Sequence, residues 1–534
     1  MPKKINIHIE LDEKWSQSRK GDFELFFKGY AFYQDKAITK NDILDLLIPI
    51  LESPPASINK QLNLLNGCFT CIIRTGNWLF ACVDRARSIP LFYSRLHNTV
   101  YISNDAHWVK DKVGIEEFDK TSEAEFLFTG YVTGPNTLYS GIHQLQAGEY
   151  LLYKDDEVKI ERYFRFFHAK TFSSTESELL RHLDDVIHNV FQRFVDWAGG
   201  RPIVIPVSGG HDSRLIATML KKLEYDNLMA FSYGKEGNKE AEVSRQVANA
   251  LGIRWEFIEY THEAWRKWFH SAERRDYYRM ADGLSSIPVL SNWPAVWEMQ
   301  KRGLIAQNSI FAPGHTVTMA LRDRPQKSTE RSVKDSVYRK HYSLWPKMKI
   351  PKATKNLLLE KIWENTKDVP KNSQDWGIDY LEAWELQERQ VKFIVNSVRV
   401  FDYFRFDWYL PLWDTELIEF WRRVPTDLRI DKKLFVSYVK HTYSQVTGVF
   451  TPINDPPLKS LKRFLSSTPL QSLSRKAYRA IRANPKKTTE YHNHEFAIFG
   501  LIPEQQFSEL YSGYENIVSF LCLDRLGKIN IDND

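Results

Sequence analysis

Between residues 203 and 260 the chain alternates short apolar runs with helix-patterned stretches, and few architectures satisfy that alternation. The runs at 203–207, 228–233 and 255–260 have strand length. The first stretch between them places Leu215, Ile216, Met219, Leu220 and Leu223 on one helical face. The second does so with Val243, Val247, Ala250 and Leu251, and Gly252 follows as a stop. Strands separated by amphipathic helices form a parallel sheet covered by helices. A preceding helix opens at a capping box, Thr175 with Glu178, and carries Leu179, Leu180, Leu183, Val186, Ile187, Val190, Phe191 and Phe194 on one side. From 262 onward the pattern is mostly helical, with a loop at 311–318.

The character upstream of 165–175 is different. Residues 68–73 and 77–83 are apolar runs joined across Thr75-Gly76, a hairpin pattern. Further strands are predicted at 90–93 and 99–102. A second hairpin is predicted from 149–153 with 158–160 around a turn at 154–157, and a helix over about 41–52. This is a mixed α+β unit rich in antiparallel pairing, so a domain boundary belongs near 165–175.

At 534 residues the chain suits two to four domains of roughly 150 each. Lys and Arg number 73 against 67 Asp and Glu, leaving +6, which argues against a nucleic-acid coat or a polybasic tail. Apolar residues at 43% and charged residues at 26% are ordinary for soluble domains. No window nears the roughly 18 apolar residues of a membrane span. The start, MPKKINIHIELDEKW, lacks the apolar core of a signal peptide. Four cysteines cannot staple a chain of this size. The expectation is a reducing, cytoplasmic, soluble protein with no transmembrane span and no nucleic-acid partner.

The most informative segment is Ser208-Gly209-Gly210-His211-Asp212-Ser213, set between the apolar run at 203–207 and the helix that follows. Two glycines allow a tight turn and bring backbone N–H groups close to an anion. The helix N-terminus adds unpaired donors and partial positive charge. Ser208 and Ser213 add hydroxyl donors. Asp212 beside phosphates calls for a cation, and Mg²⁺ is the oxygen-seeking candidate. There is no Gly-Lys-Ser/Thr of a Walker loop and no G-x-G-x-x-G spacing. The segment resembles the pyrophosphate loop (PP-loop) of ATP pyrophosphatases.

With that loop in place, most of residues 20–450 resembles the asparagine synthetase family. Leu65-Asn66-Gly67-Cys68-Phe69, the run Asp84-Arg85-Ala86-Arg87-Ser88-Ile89-Pro90-Leu91-Phe92-Tyr93, and residues 130–142 are similar to its glutaminase domain. Ser232-Tyr233-Gly234, Ala312-Pro313-Gly314-His315-Thr316, Asn396-Ser397-Val398-Arg399-Val400 and Leu410-Pro411-Leu412-Trp413-Asp414 resemble the branch found in bacterial surface-polysaccharide clusters. The resemblance implies an α+β N-terminal nucleophile-hydrolase-like sandwich at 1–168 and an α/β parallel-sheet PP-loop ATP pyrophosphatase domain at 169–450. Residues 451–534 then form a basic, helical C-terminal extension. It further implies an ATP- and Mg²⁺-dependent ligase that forms an acyl-adenylate, releases pyrophosphate and passes ammonia or an amine to the acyl carbon. A small-molecule carboxylate, such as a carboxylated sugar, is the implied acceptor. A homodimer or a partner ammonia source is left open.

The family's glutaminase nucleophile is a Cys at residue 2; here residue 2 is Pro, and Cys68, Cys71 and Cys82 sit inside apolar strands. Glutaminase activity is therefore expected to be absent. In the other half, the match implies that Ser208, Gly209, Gly210 and Ser213 bind phosphates and that Asp212 holds Mg²⁺. Ser232 and Tyr233 lie where the family recognises adenine. The family's second, acidic loop is replaced by residues 312–318: Gly314 is kept, His315 stands near the acceptor-site Glu, and Thr318 near a second acid. Asp323 is a nearby acid that could substitute. His315 is a candidate base or acid. The family's phosphate-side Lys corresponds to the Lys432-Lys433 pair, with Lys433 the better fit.

Other features are weaker. The basic residues of 459–487 read as a solvated face or a surface helix. His492 and His494, at i and i+2, do not share a helix face as a metal pair would. The tryptophans at 265, 268, 293 and 297 read as core. The alternatives to the ligase are an intramolecular amide-forming cyclase, a nucleotide-binding assembly protein without catalysis, and a tRNA-modifying PP-loop enzyme. The small net charge and scattered cysteines oppose the last.

Overall fold

A computed structural model describes residues 6–12, 14–51, 53–76, 78–97, 99–319, 329–371, 375–449, 487–513 and 515–531. The strands of the first part are β1 Asn6–Glu10, β2 Ser16–Lys20, β3 Phe23–Tyr33, β4 Lys36–Ala37, β5 Leu65–Arg74, β6 Leu79–Val83, β7 Phe92–Leu96, β8 Thr99–Ser103, β9 His143–Gln144, β10 Glu149–Lys154 and β11 Glu157–Arg162. They make a four-stranded sheet, β1-β8-β7-β9, and a seven-stranded antiparallel sheet, β11-β10-β6-β5-β3-β2 with β4 on β3. β6 is buried at every position, so both faces of that sheet's centre are covered. The expected helix over 41–52 is α1, Lys40–Leu47, with a 3₁₀ turn at Ile48–Ile50. The expected four-residue turn at 154–157 is tighter. Only Asp155 and Asp156 turn, at φ +53° and +64°, the left-handed pair that matches a twisted two-residue hairpin.

The second part opens on α2, Glu176–Ala198, with the expected Thr175–Glu178 capping box. Its parallel sheet holds β12 Ile203–Pro206, β13 Leu228–Gly234, β14 Arg254–Glu259, β15 Ile310–Phe311 and β16 Asp407–Trp408, in the order β14-β13-β12-β15-β16. Helices α3, His211–Lys222, and α4, Lys239–Ala250, make the crossovers. The chain steps outward from β12 to β14, then returns to β15 on β12's other side. That reversal opens a crevice at the carboxyl ends of β12 and β15, where ligands bind in open α/β sheets.

The two parts meet along residues 407–416. Asp414 receives both Nε (3.2 Å) and Nη2 (2.9 Å) of Arg193 from α2, and Asn66 Nδ2 of β5 (2.9 Å). Asn66 in turn accepts from the Thr415 N–H (3.0 Å). Tyr409 stacks between Tyr30 (centroids 4.3 Å) and Phe194 (4.2 Å), and Tyr30 Oη accepts the Leu410 N–H (3.0 Å). The Asp414 and Arg193 side chains are only 3% and 6% exposed. Arg193 also reaches Glu416 and Asp35 (2.8 Å each), so removing Asp414 costs the buried arginine one of its three partners, together with the Asn66 contact and the cap on the Glu416 N–H. Asp414→Ala is expected to lower unfolding free energy by about 3–5 kcal/mol, read from urea denaturation midpoints.

Candidate active site

The Val207 N–H donates to Phe231 O (3.0 Å), so the loop leaves β12 alongside Ser232 of β13. The Ser213 hydroxyl accepts the Ser208 N–H (3.1 Å) and lies 3.3 Å from Ser208 Oγ, which itself accepts the Gly210 N–H (3.2 Å). This internal lacing holds the turn before α3. Gly210 caps α3 with no side-chain acceptor, which leaves the helix N-terminus facing outward. Neither Gly209 nor Gly210 adopts a left-handed φ. The expected tight turn is made in ordinary backbone regions, and the missing side chains serve close approach instead.

The loop after β15 closes on this turn. Ala312 N–H donates to Val204 O (3.0 Å) and Val317 N–H to Leu412 O (3.2 Å), fixing the loop from both sides. A Cβ on Gly314 would stand 3.0 Å from the Ser213 backbone nitrogen and 3.3 Å from Asp212 Cβ. A side chain there would push the Ser213 backbone and Asp212 apart by a few tenths of an ångström. Next to it, His315 Nε2 lies 3.0 Å from Ser397 Oγ, while its Nδ1 is enclosed without a hydrogen-bond partner among the described residues. Burial pulls His315 down to about 4, so the ring is neutral at pH 7. Thr316 and Thr318 are buried and satisfy each other: their hydroxyls are 2.9 Å apart and Thr316 Oγ1 accepts the Thr318 N–H (3.1 Å). Asp323 lies outside the described residues, as does nearly all of 459–487.

The lysine that faces the loop is Lys432, not Lys433. Lys432 Nζ lies 3.0 Å from both carboxylate oxygens of Asp212, with the two side chains 16% and 26% exposed. Lys433 points away at 56% exposure and pairs with Glu176 at 2.8 Å. The cause is backbone geometry. Asp431 and Lys432 both hold left-handed φ, +54° and +57°, immediately before α5, Lys433–Thr447. That double turn swings the first lysine inward and leaves the second on the helix surface. Burial pushes the Asp212 carboxyl above the usual range, and the Lys432 ammonium pulls it part of the way back.

Ser232 is buried at the end of β13. Tyr233 stacks on Tyr260 (5.0 Å) and donates its hydroxyl to Asn292. Neither side chain is in hydrogen-bond contact with the 208–213 loop. Asn396 donates to Ala281 O (2.8 Å), and Arg399 pairs with Asp402 (2.8 Å) and reaches Ser88 O (2.6 Å), all at the seam between the two parts. Burial raises Cys68 well above the ordinary thiol range, and the Cys71 thiol 3.3 Å from Cys82, with burial second, raises Cys82 likewise. Trp265, Trp268 and Trp293 are core residues. His492 faces Glu504 (3.3 Å). Ser397 was not legible as a site residue: it reaches His315 across 82 positions of sequence.

Gly314→Ala is expected to weaken ATP binding by about tenfold or more, ~1.4 kcal/mol, in calorimetric titration of a protein whose circular dichroism is unchanged. His315 has a folded-state pKa below the ordinary 6.5, so the unfolded chain binds its proton more readily. Its stabilising effect is complete above pH 6.5 and is lost as pH falls toward 4. Between pH 7 and 5, His315→Asn should lose about 1–2 kcal/mol less stability than the parent, read from urea midpoints at each pH.

Two family models match the chain: a glutamine amidotransferase domain over residues 56–164 and asparagine synthase over residues 190–278. No curated protein matches. Among solved structures, the chain is similar to glutamine phosphoribosylpyrophosphate amidotransferase from B. subtilis complexed with ADP and GMP, at 12% identity and a TM-score of 0.20, covering 58% of this chain and 66% of that one. A second, described as the allosteric regulatory enzyme of purine biosynthesis, matches at 11% identity and a TM-score of 0.18, covering 61% of this chain and 58% of that one. The chain thus spans under two thirds of either protein's length, and likeness at that level bears on neither fold nor activity. The order of the two matched domains, amidotransferase then asparagine synthase, is the architecture of the asparagine synthetase family.

Proposed function

We propose that this chain is an ATP-dependent amide-forming ligase that activates a carboxylate as an acyl-adenylate and passes ammonia or an amine to it. The observation that carries this reading is a convergence at the carboxyl ends of β12 and β15. The Ser-Gly-Gly-His-Asp-Ser loop, the open N-terminus of α3 and Lys432 all meet there.

The loop N–H groups, the Ser208 and Ser213 hydroxyls and the α3 N-terminus suit the phosphates of ATP. A substrate carboxylate oxygen attacks the α-phosphorus; its bond to the bridging oxygen breaks and pyrophosphate leaves. Lys432, a compact cation, offsets the charge gathering on the leaving phosphates. Nitrogen then bonds to the acyl carbon, the carbon–oxygen bond to AMP breaks, and one proton is released. Magnesium bound with ATP supplies charge neutralisation between phosphate oxygens. The donors here fit it as an ATP complex, with Asp212 as its protein carboxylate. Among the described residues no group of three His, Cys, Asp or Glu stands ready for a bare ion. His315, neutral and held against Ser397, serves as a hydrogen-bonding group toward the acceptor rather than as a proton carrier.

The first 168 residues are in this reading a glutaminase-like sandwich kept as a scaffold, and the synthetase unit spans 169–450 with the extension beyond. Cys68, Cys71 and Cys82 are buried, which is what supports a first part without a thiol nucleophile of its own. Nitrogen therefore comes as free ammonia, from a partner, or as an amine. A carboxylated sugar in surface-polysaccharide synthesis is the acceptor that the branch resemblance supports, and a ring-closing variant would use an amine on the same molecule.

Pyrophosphate release from ATP and Mg²⁺ across a panel of uronic acids and nucleotide-linked uronic acids tests this. Release should require acid plus ammonium and ignore glutamine. Asp212→Asn should abolish it, and Lys432→Met should cut it by about 10²–10³, the usual cost of a transition-state charge partner, while Lys433→Met stays near the parent. One observation favours a second reading, a nucleotide-binding assembly protein: Thr316 and Thr318 satisfy each other where the family carries acid. ATP binding with no pyrophosphate release on any acid would establish it instead.

A further inference from the structure

The turn between β6 and β7 is held by Asp84, whose carboxylate accepts the Ala86 N–H (2.6 Å), the Ser88 N–H (3.1 Å) and the Ser88 hydroxyl (2.5 Å). That lacing places Arg87 at φ +48°, a conformation that costs a non-glycine residue strain. The side chain turns inward and is 4% exposed. Its Nε donates to Leu145 O (3.0 Å). Among the described residues no carboxylate lies within ion-pair distance of its guanidinium, and Glu388, Asp84 and Glu149 act on it only at longer range.

Arg87 lines a small cavity where the two parts of the molecule meet. Lys392 and Arg399 are in the same wall, and so is Asp282. Lys392, on a ten-residue π-helix (Glu385–Ile394), donates to Glu388 (2.5 Å) and Gly134 O (2.6 Å). Arg399 is matched by Asp402 (2.8 Å), and Asp282 by Arg525 (2.9 Å) and His107 (2.8 Å). Each of these wall charges has its own counter-ion; Arg87 alone leaves a positive charge unbalanced among the described residues. Burial, and then the Arg399 charge, pulls Arg87 down to about 9, the mark of a cation short of a partner. The cavity has room for one water-sized species.

We infer that this seam cavity binds one monovalent inorganic anion of chloride size, which completes Arg87 and fastens the β6–β7 turn of the first part to residues 392–399 of the second. Buried charges in proteins are paired, and Arg87, bonded through Nε to Leu145 O, has no counter-ion within ion-pair distance among the described residues. The inference does not depend on the proposed ligase reading, and none of the residues 208–213 lines the cavity.

Thermal unfolding of the full chain in potassium chloride, potassium bromide and potassium gluconate at equal ionic strength tests it. The midpoint should climb with the logarithm of chloride or bromide concentration and stay flat in gluconate, whose anion is too large. Arg87→Met should lose that dependence. Bromide-soaked crystals of the parent should show an anomalous peak beside Arg87, a readout that stands even if the variant fails to fold. Water alone in the cavity with equal midpoints in all three salts would overturn the inference, as would a chloride effect that Arg87→Met retains in full.

Discussion

The buried pair of Arg193 and Asp414 is the joint on which the geometry of both halves turns. Arg193 belongs to α2, the first helix of the parallel-sheet part, and Asp414 follows the sheet's last strand by six residues. Asp414 also caps the helix Thr415–Trp421 through the Glu416 N–H (2.9 Å) and holds Asn66 of the antiparallel sheet. One carboxylate thus sets the position of residues 407–414 against two separate layers. That segment then supplies Leu412 O to Val317, and so fixes the loop that carries Gly314 and His315. The site is positioned from a charge pair near the seam, through a strand end, to a glycine pressed on the 208–213 turn.

The charge arrangement at that turn follows from its burial. Asp212 sits at the start of α3, where the helix dipole favours a negative group. Burial works against its ionisation, and Lys432 compensates. The left-handed pair Asp431 and Lys432 makes the compensation possible, at a conformational cost that a solvent-facing lysine would not justify. An ammonium bound to a lone carboxylate in this way is well placed to exchange that partner for phosphate oxygens, since both interactions are with compact oxygen anions.

Much of this was legible in the sequence, and what was not has identifiable reasons. The strand–loop–helix unit at 203–222 and its crossover partners declared themselves because each helix carries a long apolar period between apolar runs of strand length. β15 and β16 were read as loop or helix because two residues apiece carry no period at all. The choice between Lys432 and Lys433 could not be made from adjacency. It depends on two residues adopting positive φ without glycine, which nothing in Asp-Lys-Lys announces. His315 was visible as a titratable group, but its neutral state comes from enclosure by elements far away in sequence, with Ser397 as its contact.

The antiparallel half meets the parallel half through hydrogen bonds, stacked rings and ion pairs. Its Cys68, Cys71 and Cys82 thiols are buried in β5 and β6, and burial disfavours ionisation of Cys68 and Cys82. Its seam with the parallel half is crossed by ion pairs: Glu125 with Lys361, Lys28 with Asp402, and Asp35 with Arg193. Buried ion pairs add little net stability over apolar packing, but each fixes direction and register, because a displaced pair leaves two stranded charges. A seam made this way resists sliding more than it resists separation. The same seam fixes residues 407–414, and through Leu412 O the 312–318 loop, in one place.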